Sequence, residues 1–382
     1  MRVTVCGAGI AGLTLAWWLR RAGAEVVLLE KAPGPRSGGY MIDFFGAGYD
    51  VAERMGVLPE LHAVAAGIDE LVYADGHGRR RAGLRYATAR ALLGGRVLSV
   101  MRGDLETILR SALDPGTEIR YGTGIAAVRD APAGVDVELT DGTAHRADLL
   151  VGADGLHSEV RRLVFGPERR YLHSLGYHTA SYLLEDAVLA AETGRRAVLV
   201  GVPGRQAGLY PVRDGRLAAF LVHAAPQAAP PADARAEILR RYRGMGALVD
   251  RILAHCPRDP YYDDVAQIRM PGWTRGRVTL LGDAAHAVSL MAGQGSSMAM
   301  GGAHTLAVEL LGAGVGAALD RYERRMRPFV LAKQRSGRAA AHWMVPRRAW
   351  RIALRNRLFG LAGLPGGAAV LGRATRGLSS GL

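Results

Sequence analysis

Val3-Thr-Val-Cys-Gly7-Ala-Gly9-Ile10-Ala11-Gly12, residues 3–12 of a 382-residue chain, places a GxGxxG motif between a short apolar strand and a predicted helix. In such a turn the first glycine permits the tight bend, the second lets a pyrophosphate approach the backbone, and the third allows close helix–strand packing. The N-terminus of the helix adds free N–H groups and the positive end of its dipole. The stretch therefore predicts a dinucleotide-binding turn.

The segment that follows the motif completes a βαβ unit. The helix is predicted from about Ile10 to Arg21, and Glu25-Val-Val-Leu-Leu-Glu30 reads as the second strand. Glu30 ends that strand 18 residues after Gly12, where an acid accepts hydrogen bonds from a ribose diol. Lys31 follows it as a further candidate contact. At this point the motif fits FAD and NAD equally well.

The rest of the chain changes character twice. Helices are predicted near residues 47–55 and 102–113, and strands near 118–121, 135–140 and 147–151. In residues 171–223, stretches rich in Tyr, Leu, Val and Ala alternate with turns, as in an antiparallel sheet. Helices near 232–254 precede a strand at 278–281, and long helices extend to about residue 360. The order predicts an α/β fold interrupted by a β-sheet.

Two remote segments decide the cofactor. Residues 278–286, Val-Thr-Leu-Leu-Gly-Asp283-Ala-Ala-His286, place an aspartate after a strand, and Gly293-Gln-Gly295 opens the next helix. Residues 149–158 form a second strand–turn–helix start around Asp154-Gly155. With these motifs in order, the chain resembles the group A flavoprotein monooxygenases, the family of p-hydroxybenzoate hydroxylase and the tetracycline-modifying hydroxylases, from residue 1 to about residue 335.

The resemblance implies a non-covalent FAD and a role for several residues. Asp283 would hold the ribityl chain, Asp154 would lie near the pyrophosphate, and Arg102 would bind FAD from a helix start. In the early loop, Arg36 would handle NADPH and Asp43 would sit near FAD. The expected cofactor-binding residues are Gly7, Gly9, Ile10, Ala11, Gly12, Glu30, Lys31, Arg36, Asp43, Arg102, Asp154, Asp283, Gly293, Gly295, Ser296 and Ser297. For Asp283 and Asp154, capping of a turn is the alternative.

The resulting fold prediction is an α/β protein whose Rossmann-type FAD-binding domain is interrupted by an antiparallel β-sheet substrate domain and followed by C-terminal helices. The discontinuous FAD-binding domain is expected to comprise residues 1–69, 97–166 and 265–345. The substrate-binding domain is expected to comprise residues 70–96 and 167–264. Residues 346–382 are expected to form a basic helical tail.

The resemblance also implies the activity. NADPH or NADH would reduce FAD, and the reduced flavin would capture O₂ as a C4a-hydroperoxide that hydroxylates or epoxidises an aromatic or polyketide-like molecule. Candidate substrate contacts, chosen on residue type alone, are Tyr177, Tyr210, Phe220 and Met291, with His178 and His223 beside them. Packing in a half-buried sheet is the alternative for these side chains. No residue is assigned as catalytic, His286 is expected in the core, and no metal is expected.

Two departures from the family pattern keep other functions open. The family usually has a proline in the turn after Gly-Asp-Ala-Ala-His, where this chain has Ser289-Leu290-Met291. Ser297 stands where an asparagine commonly meets the flavin ring. A flavin-dependent dehydrogenase or redox-neutral cyclase of the same fold is the first alternative. A non-catalytic flavin-binding regulatory protein is the second.

Charge, cysteine content and hydropathy argue against several other classes of protein. The net charge is +14, but from residue 331 onward ten basic residues occur without an acid, so the remainder carries 39 basic and 35 acidic residues. Without a recognisable binding module, this distribution argues against a nucleic-acid partner. Two cysteines, Cys6 and Cys256, form no disulfide framework, and no apolar run reaches the roughly 20 residues of a membrane-spanning helix. We therefore expect a soluble cytoplasmic protein.

The tail interleaves Trp343 and Trp350 with arginines. Because these tryptophans are seven residues apart, both are expected to face one apolar surface, with the helix docked on the FAD domain and its arginines solvated. Contact with an anionic membrane surface or with an acidic carrier protein is the alternative.

Overall fold

The computed structural model describes residues 1–35, 39–92, 94–131, 133–226, 229–312 and 314–362. In this part of the chain the strands are β1 (Arg2–Cys6), β2 (Glu25–Glu30), β3 (Met41–Phe45), β4 (Glu70–Ala74), β5 (Arg80–Arg85), β6 (Val97–Met101), β7 (Glu118–Tyr121), β8 (Ile125–Ala131), β9 (Gly134–Leu139), β10 (Ala144–Ala147), β11 (Leu149–Gly152), β12 (Leu172–Leu184), β13 (Arg196–Val202), β14 (Arg205–Pro211), β15 (Leu217–Ala224), β16 (Tyr261–Ile268), β17 (Thr274–Arg275) and β18 (Val278–Leu280). The helices are α1 (Ile10–Arg21), α2 (Ala47–Met55), α3 (Leu58–Val64), α4 (Tyr86–Leu92), α5 (Arg102–Ser111), α6 (Glu159–Phe165), α7 (Ala187–Thr193), α8 (Ala234–Tyr242), α9 (Ala247–Ala254), α10 (Asp283–His286), α11 (Gly295–Gly312), α12 (Val315–Met344) and α13 (Ala349–Ala362).

A six-stranded sheet carries the N-terminal motif. Its order is β17-β18-β11-β1-β2-β7, and all of its pairs are parallel except β17 with β18. The central strands are buried on both faces, which is why their sequences are nearly continuous apolar runs. Because β1, β11 and β18 are parallel neighbours, the turns that follow them meet at the carboxyl ends of these strands. This arrangement brings Gly7, Asp154 and Asp283 into the same region.

A seven-stranded sheet forms the second layer. Its order is β16-β12-β15-β14-β13-β4-β5, antiparallel except for the β13–β4 pair. One face packs its apolar side chains against α8 and α9. On β12 and β15, His178 and His223 are paired in register, while Thr179 of β12 and Phe220 of β15 line a cavity on the opposite face. This alternation follows from the two-residue period of a strand.

The α/β fold with a Rossmann-type half, an antiparallel sheet and C-terminal helices is confirmed. Several elements escaped the sequence analysis, among them β8, the short helices α3, α4 and α7, and β16, whose first residues are Tyr-Tyr-Asp-Asp. Aspartate is depleted in strands, so local propensity gave no strand signal at the start of β16. The early loop, predicted over residues 31–48, also contains a strand, because residues 41–45 form β3 and pair with β6.

The prediction for the tail was wrong in its docking partner and in its orientation. Helix α13 packs against β5 and β13 of the seven-stranded sheet, and it contacts the FAD-binding half at the end of α12, where Arg355 donates to the carbonyl of Met344. Arg355 is buried, with its guanidinium 4.1 Å from the centre of the Tyr73 ring. Trp343 and Trp350 are instead exposed. Among the described helices, none combines the length and apolar character needed to cross a membrane.

Candidate active site

A cavity of about 500 Å³ lies between the carboxyl ends of the parallel strands in the six-stranded sheet and one face of the seven-stranded sheet. Its volume is in the range of small-molecule sites. One side is lined by the glycine turn, residues 41–43, Arg102 and Asp283. The other side is lined by Tyr210, Phe220 and other sheet residues, and the turn of residues 287–293 closes it.

The glycine turn has the geometry that its motif predicts. Gly7 has φ +107°, and a Cβ there would lie 2.4 Å from the carbonyl oxygen of Ala153. A Cβ on Gly12 would lie 1.9 Å from the carbonyl oxygen of Gly7, so only glycine allows α1 to approach β1 this closely. Gly9, Ile10 and Ala11 line the cavity. The start of α1 therefore presents backbone directly to a ligand.

Charged groups flank this turn within the cavity. Arg102 Nη2 lies 2.7 Å from Glu106 Oε1, one turn further along α5. Asp283 begins α10 and is accessible from the cavity, although protein surrounds it. Burial raises the pKa of Asp283, and the nearby Arg102 works in the opposite direction. The Asp283 carboxylate also lies near the start of α11, 3.9 Å from the position of a Cβ on Gly295.

Glu30, Lys31 and Ser297, three of the predicted cofactor residues, do not line the cavity, and the Ser297 hydroxyl donates to the carbonyl of Phe45 at 2.6 Å. The Glu30 carboxylate accepts hydrogen bonds from the backbone N–H groups of Ala8 (3.1 Å) and Ala32 (2.9 Å), which ties the end of β2 to the glycine turn. Lys31 is exposed next to it. Arg36 lies outside the described residues.

Asp154 makes contacts of its own with the chain that follows it. Its carboxylate accepts hydrogen bonds from Ser158 Oγ (2.5 Å) and from the N–H groups of Glu159 (2.7 Å) and Val160 (3.1 Å). These amides belong to the first turn of α6, so the side chain satisfies helix N–H groups. Its neighbours Ala153 and Gly155 line the cavity instead.

Asp43 belongs to a polar cluster with Tyr86 and Ser99 that was not predicted from the sequence. Its Oδ1 accepts hydrogen bonds from Tyr86 (3.0 Å) and Ser99 (2.5 Å), and both Asp43 and Tyr86 line the cavity. Burial, reinforced by the Asp43 charge, raises the pKa of Tyr86 above its ordinary value. Tyr86 begins α4, directly after β5, and is distant in sequence from Asp43 and the other cofactor residues. The sequence therefore did not indicate that Tyr86 lies beside Asp43.

The turn that lacks the family's proline is strained locally. Ser289 has φ +96° and is the one non-glycine residue with positive φ in the described chain. Its Oγ accepts a hydrogen bond of 3.2 Å from the N–H of Met291. Leu290 and Met291 line the cavity. Such conformations persist where the surroundings hold them, and they cluster at functional sites.

Two buried glutamines hold the backbone of this turn. Gln267 Nε2 donates to the carbonyl of Val288 (3.1 Å) and to that of Gln334 (2.7 Å). Gln334 Nε2 donates to the carbonyls of Ala287 (3.2 Å) and Ile268 (2.7 Å). The pair therefore links β16, α12 and the turn, which restricts the carbonyls just before Ser289. We call Gln267 and Gln334 the glutamine clamp.

Three of the four predicted substrate contacts line the cavity: Tyr210, Phe220 and Met291. Tyr177 is buried in an apolar cluster with Val222, Val265 and Met291 and does not itself line the cavity.

The histidines that the sequence analysis considered lie elsewhere. His178 and His223 share a hydrogen-bond network with Tyr262 on the opposite face of the sheet, and burial lowers the pKa of His223 to about 4. His286 packs against Trp273 in the core, with its ring centroid 4.8 Å from that of the tryptophan. Burial also lowers the pKa of His286 to about 4.

The cavity rim contains further residues that the sequence analysis missed. Tyr40 lies between Tyr261 and Phe220, with ring centroids 5.7 and 6.3 Å away. Asp263 of β16 accepts a hydrogen bond from His157 Nε2 at 3.1 Å. That bond, opposed by burial and supported by a bond to Glu168, raises the pKa of His157 to about 9. Because β16 was not predicted, Tyr261 and Asp263 had no element to place them.

These features fit FAD on chemical grounds. The start of α1 offers backbone N–H groups to a pyrophosphate, and Gly9 leaves room for close approach. Asp283 offers acceptors to hydroxyl groups, and Arg102 adds a positive charge. The aromatic wall beyond them suits a planar ring system.

Comparison with known proteins identifies the family. The family model described as "FAD binding domain" matches residues 1–335. An uncharacterized protein of Mycobacterium tuberculosis is 35% identical over 323 residues, covering 82% of this chain and 85% of its own. A flavin-dependent monooxygenase from an unknown prokaryotic organism is 30% identical over 353 residues, covering 88% of both chains.

A solved structure agrees with the sequence relatives. The crystal structure of the tetracycline destructase Tet(55) superimposes with a TM-score of 0.82 at 26% identity, covering 100% of this chain and 97% of that one. The resemblance inferred from the three sequence motifs is thereby confirmed. The chain belongs to the FAD-binding family of group A flavoprotein hydroxylases, and it is an FAD-dependent monooxygenase.

Proposed function

We propose that this enzyme uses NADH or NADPH to reduce its FAD and inserts one atom of O₂ into an aromatic or polyketide-like small molecule, by hydroxylation or epoxidation. The observation that carries the proposal is one continuous cavity that joins the glycine turn to the aromatic wall of the seven-stranded sheet. A cofactor held at one end and a planar substrate at the other would share this space.

When bound, FAD supplies the electron transfer and the oxygen activation, and the chain supplies position and a dry site. Gly9 and the start of α1 would hold the pyrophosphate. Arg102 and Asp283 would orient the ribityl region. Leu290 and Met291 would keep water from the reacting face, because both are apolar and line the cavity.

The lining supports the substrate class. Tyr40, Tyr210 and Phe220 present aromatic surface, and Ile68, Leu71 and Leu84 make the deeper wall apolar. Aromatic side chains favour stacked or edge-on contact with a planar ligand. The name of the structural relative, a tetracycline destructase, is consistent with a polycyclic substrate.

The domain boundaries and the location belong to the same proposal. The FAD-binding part would comprise residues 1–69, 97–166 and 265–345, and the substrate-binding part residues 70–96 and 167–264. The two cysteines are buried and unpaired, which suits a reducing cytoplasm.

The second candidate function is a dehydrogenation or redox-neutral cyclisation on the same flavin. The Ser289-Leu290-Met291 turn favours it, because the family's proline is absent from the turn beside the flavin's oxygen-reacting face. The glutamine clamp argues for the monooxygenase, since it restricts that turn by other means.

Isotope tracing separates these functions. Purified holoenzyme is supplied with NADH or NADPH under ¹⁸O₂ and challenged with a panel of polycyclic and phenolic compounds. Substrate-stimulated NAD(P)H oxidation with one ¹⁸O atom in the product is expected. A product without ¹⁸O would refute oxygen insertion in favour of the dehydrogenase or cyclase. Flavin that NAD(P)H does not reduce would favour a non-catalytic regulatory protein.

A further inference from the structure

Helix α13 has an inner face that is anchored to the protein. Arg355 lies on this face and is 1% exposed, and its Nη1 donates to the carbonyl of Met344 (2.7 Å) and to Gln206 Oε1 (3.3 Å). Phe359, one turn further, packs with its ring centroid 5.0 Å from that of Tyr73. The orientation of the helix on the seven-stranded sheet is therefore fixed.

The outer face of the same helix carries an exposed apolar stripe. Trp350, Leu354 and Leu358 are spaced four residues apart, so they lie along one side of the helix. Their exposed fractions are 56%, 45% and 39%, large values for apolar side chains. The preceding helix adds Trp343, which is 43% exposed. We call the three residues on α13 the outer stripe.

Arginines border the outer stripe on both sides. At about 100° per residue, Arg357 lies roughly 20° from Trp350 on one edge, and Arg351 lies roughly 20° from Leu358 on the other. Both are exposed, and the Arg351 guanidinium lies 5.3 Å from the centre of the Trp350 ring. From residue 331 to the C-terminus the sequence contains no acid that would offset these charges.

We infer that the outer stripe of α13 docks the enzyme on the surface of an anionic membrane. An apolar stripe bordered by arginines inserts its apolar side chains at the headgroup boundary, while the arginines pair with lipid phosphates. A symmetric contact with a second copy of the chain would instead bring two sets of arginines together without acids between them. The charge pattern therefore favours lipid.

Docking at this place would have a consequence for the cavity. Met344, whose carbonyl Arg355 holds, lines the cavity wall. The Arg355–Met344 bond would thus link the docked helix to one wall of the cavity. An effect of docking on catalysis rests on the proposed function, whereas the docking itself does not.

Vesicle sedimentation tests the docking. Full-length holoenzyme is mixed with vesicles of phosphatidylglycerol and phosphatidylcholine, or of phosphatidylcholine alone, at low and high salt. We expect at least about tenfold stronger partitioning to the anionic vesicles, decreasing with salt because screening weakens the arginine contribution. The triple variant Trp350→Ser, Leu354→Ser, Leu358→Ser should lose at least about tenfold of that partitioning.

Matched variants distinguish vesicle binding by the outer stripe from nonspecific binding through other exposed apolar residues. Val308→Ser with Leu311→Ser removes exposed apolar residues from α11 instead, and its partitioning should equal that of the unaltered enzyme. Arg351→Gln with Arg357→Gln should lose the preference for anionic lipid. It also provides a second measure if the triple variant does not fold, as judged by thermal melting and retained FAD.

Three results would overturn the inference. The first is equal vesicle binding, or none, by the unaltered enzyme and the triple variant. The second is a dimer that the triple variant converts to monomer without any vesicle binding, which would make the stripe a self-association surface. The third is binding that appears only after truncation behind Ala362, which would mean that residues 363–382 cover the stripe.

Discussion

Gly337 on α12 is the position where the structure makes the sharpest prediction. A Cβ at this residue would lie 2.5 Å from the carbonyl oxygen of Val288 and 3.3 Å from the Cβ of Ala292. Real Cβ atoms essentially never come within 3.0 Å of such an oxygen, so Gly337→Ala must displace the turn or the helix by at least half an ångström. The displaced turn is the one that lines the cavity with Leu290 and Met291.

Two effects of Gly337→Ala compete. Alanine in a helix interior is favoured over glycine by about 0.8–1.0 kcal/mol. Overpacking a well-filled contact costs about 1–3 kcal/mol, and here the clash is with backbone, which cannot rotate away. We therefore expect a net loss of stability of up to about 2 kcal/mol. On the same helix, Gly316→Ala meets no atom within 4 Å and should gain up to about 1 kcal/mol.

Urea unfolding of the two FAD-bound variants measures this difference, and the visible absorption spectrum of the bound flavin reports the displaced turn. We expect Gly337→Ala to unfold at lower urea than the unaltered enzyme and to alter the flavin spectrum. Gly316→Ala should unfold at equal or higher urea with an unchanged spectrum. If Gly337→Ala stabilised the protein as much as Gly316→Ala, the close approach of α12 to the turn would be refuted.

Three further predictions concern the site and its surroundings. Asp283→Ala should weaken FAD binding by about 1.5–3 kcal/mol in a fluorescence titration, as for loss of a charged hydrogen bond, whereas Asp141→Ala in an exposed turn should not change it. His157 has a pKa raised from 6.5 to about 9, so its stabilisation is complete below pH 6.5 and lost as the pH rises to about 9. His157→Gln should therefore flatten the fall in melting temperature over that range, and an unchanged fall would contradict the assignment. Truncation after Val345 removes the buried Arg355 and should lower the melting temperature but leave FAD affinity within about twofold; an undiminished melting temperature would contradict the packing of α13.

The cofactor half was predictable because its signals are local. The GxGxxG turn and the Gly282-Asp283 turn each follow a short apolar strand, and both turns lie at the edge of the parallel sheet. The acids show the limit of this approach. Asp154 and Asp283 each stand beside a glycine after a strand, yet Asp154 bonds the N–H groups of α6 and Asp283 faces the cavity. The direction of the following chain decides between these outcomes.

The substrate side was less predictable because distant segments build it. Tyr86 follows a pair of strands from residues 70–85, which join the far edge of the seven-stranded sheet through the parallel β4–β13 pair. Tyr261 and Asp263 come from β16 at the opposite edge. No periodicity within these segments indicates which face of the sheet, or which end, they will occupy. Sequence separation concealed the contact made by Tyr86, and the aspartates at the start of β16 additionally concealed those made by Tyr261 and Asp263.

The prediction for the C-terminal tail was wrong for a different reason. Amphipathic patterning assumes that aromatic residues point inward and arginines outward. In α13 the buried arginine stacks on Tyr73 and donates to Met344 and Gln206, so its charge is satisfied inside. The tryptophan at position 350 is then forced outward by helix geometry. The predicted common face also fails because Trp343 belongs to α12 and Trp350 to α13.

The turn at residues 287–292 is held in place by side chains from outside it, without the family's proline. A proline would fix the backbone through its own ring, whereas here Gln267 and Gln334 bond the carbonyls of Val288 and Ala287 from outside the turn. A proline at position 290 would not restore the family's solution, because the residue before a proline favours negative φ and Ser289 has φ +96°. The conformation of the turn consequently depends on the packing of α12. We therefore expect substitutions in α12 near Gly337 to displace the turn that places Leu290 and Met291 in the cavity wall.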